Sequence, residues 1–257
     1  MLLTVDCGNT NIVIGVFDGD RLAAHWRIAT DAKRTGDEYL VIMKELFGSK
    51  GLRTADIDQM IVASVVPGVN LSMETLAEEH LHCKPVFVTY ATPTGVKIKM
   101  DNPAEVGADR LVDALAAHYF HPDTYVIVVD FGTATTFDCI SPDGAYSGGV
   151  ICPGVEITQQ ALFSHASKLS NVVLRRPPKV IGTNTADSLR SGILWGYAGM
   201  VDSMVRRMSD ELPDKPFVLA TGGLAPLIAD YCQVIDEVDV MLTINGLKIL
   251  ADKLQKR

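Results

Sequence analysis

Residues 6–11 read Asp-Cys-Gly-Asn-Thr-Asn and lie between two short apolar runs, residues 2–5 and 12–17. A two-residue turn is enough to join antiparallel strands. Here six residues, most of them small or polar, stand between the two runs. The stretch therefore predicts a strand–loop–strand unit whose loop is either an ordinary loose turn or a place where a ligand binds.

The same pattern returns in the second half of the chain. Residues 130–135 read Asp-Phe-Gly-Thr-Ala-Thr, and they too stand between apolar runs, residues 125–129 and 136–140. Asp6 and Asp130 are 124 positions apart in a chain of 257 residues. A strand, an Asp-x-Gly loop and a strand repeated once in each half predict two similar α/β subdomains.

Both loops have the composition of phosphate-binding turns. Glycine lets the main chain approach an anion, and Thr hydroxyls and main-chain N–H groups donate to phosphate oxygens. An Asp at the end of a strand can hold a hydrated Mg²⁺ that bridges phosphates. The alternative is a pair of plain β-turns, since Asp, Gly, Asn and Thr all form turns. Two loops with matching flanks favour ligand binding.

A third glycine-rich stretch, Thr221-Gly222-Gly223, follows the apolar run of residues 217–220. Two glycines between a strand and a helix let a flat ring lie against the main chain, which would suit an adenosine group. Because Gly-Gly ends many strands, this stretch alone is a weak indication.

Apolar periodicity predicts the remaining elements. We expect strands over residues 2–5, 12–17, 22–28, 61–66, 86–89, 125–129, 136–140, 145–151 and 217–220. We expect helices over residues 37–46, 71–81, 104–119, 156–162, 186–208 and 242–254.

Composition narrows the class of protein. The net charge is −8, which argues against a general nucleic-acid binder because phosphate contacts need a basic face. Five scattered cysteines without a C-x-x-C pair favour a reducing, cytoplasmic setting. No apolar run reaches membrane-spanning length, and no basic segment precedes the first apolar run as in a signal peptide.

Taken in order along the chain, several short motifs resemble those of the type III pantothenate kinases, a family within the superfamily of acetate and sugar kinases, heat-shock chaperone ATPases and actin. The resemblance covers nearly the whole chain, and its segment at residues 107–110 is specific to the family. The motifs are Asp6-Cys7-Gly8-Asn9-Thr10-Asn11, Thr35-Gly36-Asp37-Glu38-Tyr39, Ser64-Val65-Val66-Pro67, Asn102-Pro103, Gly107-Ala108-Asp109-Arg110, residues 130–135, residues 148–154, Gly182-Thr183-Asn184-Thr185 and Thr221-Gly222-Gly223.

The resemblance implies a fold and an activity. The fold would be two duplicated ribonuclease-H-like (actin-like ATPase) subdomains, residues 1–118 and 119–257, each a mixed five-stranded sheet flanked by helices. The activity would be ATP-dependent phosphorylation of pantothenate to 4′-phosphopantothenate, the first step of coenzyme A biosynthesis.

The resemblance also implies roles for single residues. Asp109 would be the general base that accepts the hydroxyl proton, and Asp130 would bind a monovalent cation, K⁺ or NH₄⁺. Asp6 is our choice for Mg²⁺, through water. Substrate contacts would come from Gly107, Ala108, Asp109, Arg110 and Thr185, and ATP contacts from Asp6, Cys7, Gly8, Asn9, Thr10, Asn11, Ile12, Val13, Thr133, Gly222 and Gly223.

The helix predicted over residues 104–119 agrees with the role of Asp109, because a carboxylate near a helix N-terminus is favoured by the helix dipole. The alternative for Asp109 and Arg110 is a solvated helix surface. The residues alone do not distinguish a monovalent cation from a second Mg²⁺ at Asp130.

One further expectation follows from the resemblance, and two points remain beside it. The family pairs its chains around the acceptor site, so we expect a homodimer that binds ATP and pantothenate and neither nucleic acid nor a membrane. Met100 stands before Asp101-Asn102-Pro103, where the family often has a Tyr that contacts substrate. Two alternative functions remain: a kinase for another small alcohol or a sugar, and a non-catalytic accessory factor for transcription.

Overall fold

The computed structural model describes residues 1–165 and 172–256. Its strands are β1 (Leu2–Cys7), β2 (Asn11–Asp18), β3 (Arg21–Ala29), β4 (Gln59–Ser64), β5 (Pro85–Phe87), β6 (Val126–Phe131), β7 (Ala134–Ile140), β8 (Tyr146–Pro153), β9 (Phe217–Thr221) and β10 (Glu237–Val238). Its helices are α1 (Gly36–Gly48), α2 (Pro67–Thr75), α3 (Ala108–Phe120), α4 (Val155–His165), α5 (Thr185–Asp210), α6 (Ala225–Ile228) and α7 (Leu242–Gln255). Short 3-10 turns cover Thr54–Asp56, Pro103–Glu105 and Ala229–Tyr231, and a π-helical turn covers Leu76–His80.

The strands of the described residues form two five-stranded sheets of the same topology. One has the order β3-β2-β1-β4-β5 and the other β8-β7-β6-β9-β10. In each sheet the first strand pairs antiparallel with the second and parallel with the fourth. The predicted duplication into two mixed five-stranded sheets flanked by helices is confirmed.

Contacts group the chain into two compact units. The first unit comprises Met1–Val96, Asp101–Ala116 and the chain from Leu242 on, and the second comprises Lys97–Met100 and Ala117–Met241. The C-terminal helix α7 thus packs on the sheet of the first unit. We propose that the boundary between the two duplicated sequence segments lies between residues 118 and 119.

In the first unit, alternation along β1 separates two faces of the sheet. Leu3, Val5 and Cys7 point into a core that also holds Tyr39, Met43 and Phe47 of α1. Thr4 and Asp6 belong to the other face, where a Cβ at Gly15 would meet both Thr4 and Ile244 of α7. Asp6 is therefore carried at the end of a strand that is fixed by packing on both sides.

In the second unit, β6 has the same alternation. Ile127, Val129 and Phe131 are buried in a core shared with β9 and with the long helix α5. Asp130, like Asp6, is on the opposite face and is only partly buried. The two Asp residues thus occupy the same position, the fifth of six residues, in equivalent strands.

Three sequence predictions were wrong in extent. The six-residue loops are shorter, since Cys7 pairs with Ile12 and Phe131 pairs with Thr135. The helix predicted from residue 71 begins at Pro67, because proline is well suited to the first helical position. The helix predicted from residue 104 begins at Ala108, and a separate 3-10 turn at Pro103–Glu105 precedes it.

The strand β10 was not predicted at all. It has only two residues, Glu237 and Val238, and both are exposed. Such a short exposed edge strand leaves no apolar alternation in the sequence.

Candidate active site

The first predicted loop is a tight hairpin turn, residues 8–10, which we call the first turn. It joins β1 to β2 where the carboxyl ends of the parallel strands β1 and β4 lie side by side, and we call this end of the sheet the sheet edge. The main-chain N–H of Gly8 donates to the carbonyl of Asn11 at 3.0 Å. Asn9 and Thr10 are exposed at its tip.

Side chains on either side of the first turn differ in what they can offer a ligand. Cys7 and Ile12 are fully buried in the core, so only their main-chain atoms can reach a ligand. Burial and, to a lesser extent, the Asp6 carboxylate raise the pKa of the Cys7 thiol, so it stays protonated and is no nucleophile. Asp6, Asn11 and Val13 are partly buried at the same edge.

The start of α3 is brought to this edge of the sheet by Val65. The N–H of Val65, just beyond β4, donates to the carbonyl of Cys7 at 3.1 Å. A Cβ built at Gly107 would lie 3.6 Å from Cγ1 of Val65 and would collide with the Asp109 carboxylate. Gly107 therefore leaves the space that the Asp109 side chain occupies next to the end of β4.

Asp109 and Arg110 lie in the first turn of α3, as predicted, and both are partly buried. Oδ1 of Asp109 accepts a hydrogen bond from the main-chain N–H of Arg110 at 2.8 Å. A helix N-terminus is a favourable position for a carboxylate because of the helix dipole. The structure thus places a partly buried carboxylate at the same sheet edge as the first turn.

In the second unit the equivalent edge holds Asp130, the second turn (residues 132–133) and the end of β9. Gly222 has φ +91°, a conformation that residues with a side chain rarely adopt. A Cβ there would collide with the Asp130 carboxylate and would lie 2.7 Å from the carbonyl carbon of Phe131. Gly222 is therefore required for close packing against Asp130, while Gly223 is exposed beside it.

Gly154 packs against the second turn from the other side. A Cβ at this position would lie 2.7 Å from the carbonyl carbon of Thr133 and 2.8 Å from the carbonyl oxygen of Gly132. Sequence analysis placed Gly154 in a motif but gave it no role. Its position directly after the third strand of the second sheet could have indicated a contact with the second turn.

Thr185 is the first residue of α5. It lines a cavity of about 580 Å³ between α4 and α5, which Pro153, Leu162, Ile193 and Met200 also line. The cavity reaches Pro153, whose carbonyl accepts from the Tyr197 hydroxyl at 3.0 Å, and Gly154 follows next in the chain. The mainly apolar lining suits a ligand with a hydrocarbon body.

Several motif residues have structural explanations. Thr35 and Glu38 form a capping box at the start of α1, with the Thr35 N–H donating to Glu38 at 2.8 Å. Asn184 caps α5 by accepting from the N–H of Asp187 at 2.9 Å. Met100 lies in the second unit, where a Cβ at Gly148 would be 3.6 Å from its sulfur.

The structure gives a simple test of a metal requirement. Within residues 1–165 and 172–256, no group of three or more His, Cys, Asp and Glu side chains could hold a metal ion. The first unit instead offers Asp6 and Asp109 at one sheet edge, and the second unit offers Asp130. That donor set fits Mg²⁺, which usually keeps several waters and binds through one or two carboxylates and substrate phosphates.

Among the residues that the structure describes, no helix is long and apolar enough to cross a membrane.

Comparison with known proteins finds relatives that match most of the chain. The family model described as type III pantothenate kinase matches residues 2–207. The chain is 48% identical over 250 residues to the type III pantothenate kinase of Myxococcus xanthus (strain DK1622), covering 97% of each chain. It is 49% identical over 253 residues to that of Anaeromyxobacter sp. (strain Fw109-5), covering 98% of this chain and 99% of the relative.

Two solved structures share the fold at low sequence identity. One is the activator of the 2-hydroxyisocaproyl-CoA dehydratase from Clostridium difficile with bound ADPNP, with TM-score 0.55 and 12% identity over 100% of this chain and 97% of that one. The other is the inorganic polyphosphate/ATP-glucomannokinase from Arthrobacter sp. strain KM, with TM-score 0.50 and 14% identity over 98% of both chains.

Proposed function

The chain belongs to the type III pantothenate kinase family, and from that premise we propose how its residues divide the work of phosphorylating pantothenate with ATP. The reaction transfers the γ-phosphoryl group of ATP to a hydroxyl and gives 4′-phosphopantothenate, the first step of coenzyme A biosynthesis. One observation supports our division of roles above all. The partly buried Asp109 carboxylate lies at the sheet edge that also carries the first turn.

Each unit has a glycine-containing edge to which we assign nucleotide contacts. In the first unit, the main-chain donors of the first turn and the residues around it hold phosphate oxygens. In the second unit, Thr133 donates its hydroxyl and the glycines after β9 admit the adenosine group. The residues assigned to ATP are Asp6, Cys7, Gly8, Asn9, Thr10, Asn11, Ile12, Val13, Thr133, Gly222 and Gly223.

Asp6 would hold, through water, the Mg²⁺ that ATP-using kinases require. When bound, the ion would neutralise charge on the phosphates. What the chain supplies is a carboxylate at the end of a rigid strand. Because β1 is packed on both faces, Asp6 keeps its position without help from the ligand.

Asp109 is the general base, and Arg110 holds the substrate or the transferring phosphoryl group. A carboxylate is too weak a base to ionise an alcohol before the reaction. Asp109 therefore orients the hydroxyl and takes its proton late, as the bond to the phosphoryl group forms in a loose transition state. The planar guanidinium of Arg110 can bind two oxygens at once.

Pantothenate is held by Gly107, Ala108, Asp109, Arg110 and Thr185. Thr185 contributes from the apolar cavity between α4 and α5, which suits the hydrocarbon part of pantothenate. The function is tested by measuring ADP release with ATP, Mg²⁺, K⁺ and a panel of small alcohols and sugars. We expect pantothenate, and no other compound of the panel, to stimulate ADP release. If pantothenate does not stimulate ADP release, the proposed function is wrong.

Asp130 binds a monovalent cation beside the phosphates. Its carboxylate is partly buried, and Gly222 packs closely against it. We expect replacement of K⁺ by Na⁺ at constant ionic strength to lower turnover at least several-fold. The measurement is the steady-state rate at saturating ATP and pantothenate. Equal rates in both salts would contradict the assignment.

The chain forms a homodimer through the outer face of α4 and α5. Gly192, Gly196 and Gly199 lie on α5, and a Cβ at any of them would meet nothing within 4 Å. Apolar side chains are exposed on both helices, Ile157 on α4 and Trp195 on α5, and Ile151 of β8 is exposed as well. Large exposed apolar surfaces commonly mark interfaces, and small residues let a second helix approach closely.

We expect a mass of twice 27.8 kDa in sedimentation equilibrium at micromolar concentration. Substitution Gly199→Glu, at a glycine that does not line the cavity, should shift the protein to monomer, because it places a charge in the contact. The matched change Gly48→Glu, at another glycine with open space around it in α1, should leave the dimer intact. A wild-type monomer would contradict the proposal.

The five cysteines are all free thiols in the structure. Free thiols persist in a reducing compartment. We infer that the enzyme works in the cytoplasm, where ATP is available.

A further inference from the structure

Thr30, the residue that follows β3, makes two hydrogen bonds to the first turn. Its hydroxyl donates to the carbonyl of Gly8 at 2.6 Å. Its main-chain N–H donates to the carbonyl of Thr10 at 3.0 Å. The turn is thus held from the neighbouring strand as well as by its own hydrogen bond between Gly8 and Asn11.

These two bonds decide which way the turn presents its donors. In a trans peptide the N–H points opposite to the preceding carbonyl. Because the carbonyls of Gly8 and Thr10 both point to Thr30, the N–H groups of Asn9 and Asn11 both point away from it. Main-chain donors that point to one side of a short turn are the kind of group that binds phosphate oxygens.

Thr30 itself stands on a fixed segment. The N–H of Arg34 donates to the carbonyl of Asp31 at 3.2 Å, which closes a turn directly after Thr30. The hydroxyl of Ser72 donates to the carbonyl of Arg34 at 2.7 Å and ties the segment to α2. A side chain mounted on such a segment can hold the turn in place.

The duplicated fold supplies an internal comparison. Thr30 follows the third strand of the first sheet, and Gly154, 124 positions later, follows the third strand of the second. Each residue contacts the hairpin turn of its own unit. Gly154 packs its bare main chain against Gly132 and Thr133, whereas Thr30 reaches its turn with a hydroxyl.

We propose that Thr30 is a positioning residue for ATP: its hydroxyl fixes the first turn so that the main-chain donors of the turn meet the phosphates. The proposal rests on the assignment of the first turn to ATP made above. Thr30 acts through Gly8 and need not touch the nucleotide.

The test is Thr30→Val, which keeps the shape of the side chain and the main-chain bond but removes the hydroxyl donor. We expect the KM for ATP and the dissociation constant of ADP, measured by calorimetry, to rise about 3- to 10-fold, the factor that one net hydrogen bond corresponds to. The KM for pantothenate should stay unchanged. Thr30→Ser restores the donor and should bring both ATP quantities back within about twofold.

Thr4→Val is the matched control, because the Thr4 hydroxyl also donates to a main-chain carbonyl, that of Gly15 at 3.2 Å, away from the turn. It should change the unfolding temperature without changing the affinity for nucleotide. Wild-type affinity for ADP in Thr30→Val, or an equal loss in Thr4→Val, would overturn the proposal.

Asp6→Asn separates this proposal from the assignment on which it rests. If Asp6→Asn impairs turnover with ATP and Thr30→Val has no effect, only the role of Thr30 fails. If neither change affects turnover or nucleotide binding, the first turn is not the ATP site, and both assignments fail.

Discussion

We expect Asp109→Asn to lower kcat by about 10²- to 10⁴-fold, the usual contribution of a positioned general base. Asn is the same size and keeps the oxygen that accepts from the N–H of Arg110, so the start of α3 should stay intact. What it lacks is a site that can take the hydroxyl proton at neutral pH. The KM for ATP should change little, because the nucleotide is held by other residues.

The matched control for this change is Glu156→Gln. Glu156 is an exposed acid in the first turn of α4, so its loss removes a similar favourable interaction with a helix dipole. Thermal unfolding should show comparable small shifts for the two variants, whereas only Asp109→Asn should lose turnover. If Asp109→Asn kept kcat within about threefold of the wild type, Asp109 would not be the base.

Much of the fold follows from one short stretch and its second copy. Residues 6–11 and 130–135 predict two equivalent sheets, because a strand–turn–strand pattern at matched positions is rarely accidental. The same stretches identify Asp6 and Asp130 as equivalent residues at two sheet edges. Periodicity alone then places most helices within a few residues of their observed ends.

The extents of the turns could not be predicted from composition. Asp6 and Cys7 are polar or small and look like loop residues, yet they pair with Val13 and Ile12 in the sheet. Asn11 pairs with Ala29 of β3 for the same reason. Neighbouring strands supply the hydrogen bonds that decide where a strand ends, and a single run of sequence does not contain them.

The residues that support the turns were missed for a related reason. Thr30 and Gly154 are far in sequence from the turns they contact, and each looks like an ordinary residue at the end of a strand. Their roles appear only when the third strand is laid beside the second. A search at a spacing of 124 positions would have paired them, but a Thr and a Gly share no side-chain chemistry that would attract notice.

Gly222→Ala should have the second large effect. The position has φ +91°, and a Cβ there would collide with the Asp130 carboxylate and crowd the main chain of Phe131. Rigid strands surround the site, so Asp130 and the second turn must move. Since a misplacement of about 1 Å can cost about 10²-fold in rate, we expect kcat to fall by about that factor. The dependence on K⁺ should weaken as well, because Asp130 is the group displaced.

Gly19→Ala isolates the cost of the backbone conformation from the cost of the collision. Gly19 has φ +59° in an exposed turn, and a Cβ there would meet nothing within 4 Å. Both variants lose about 1–2 kcal/mol of stability from a left-handed residue that carries a side chain. Only Gly222→Ala adds contact with Asp130, so kcat should separate the two variants even where thermal unfolding does not. Equal turnover in the two variants would mean that close packing between Gly222 and Asp130 has no part in the reaction.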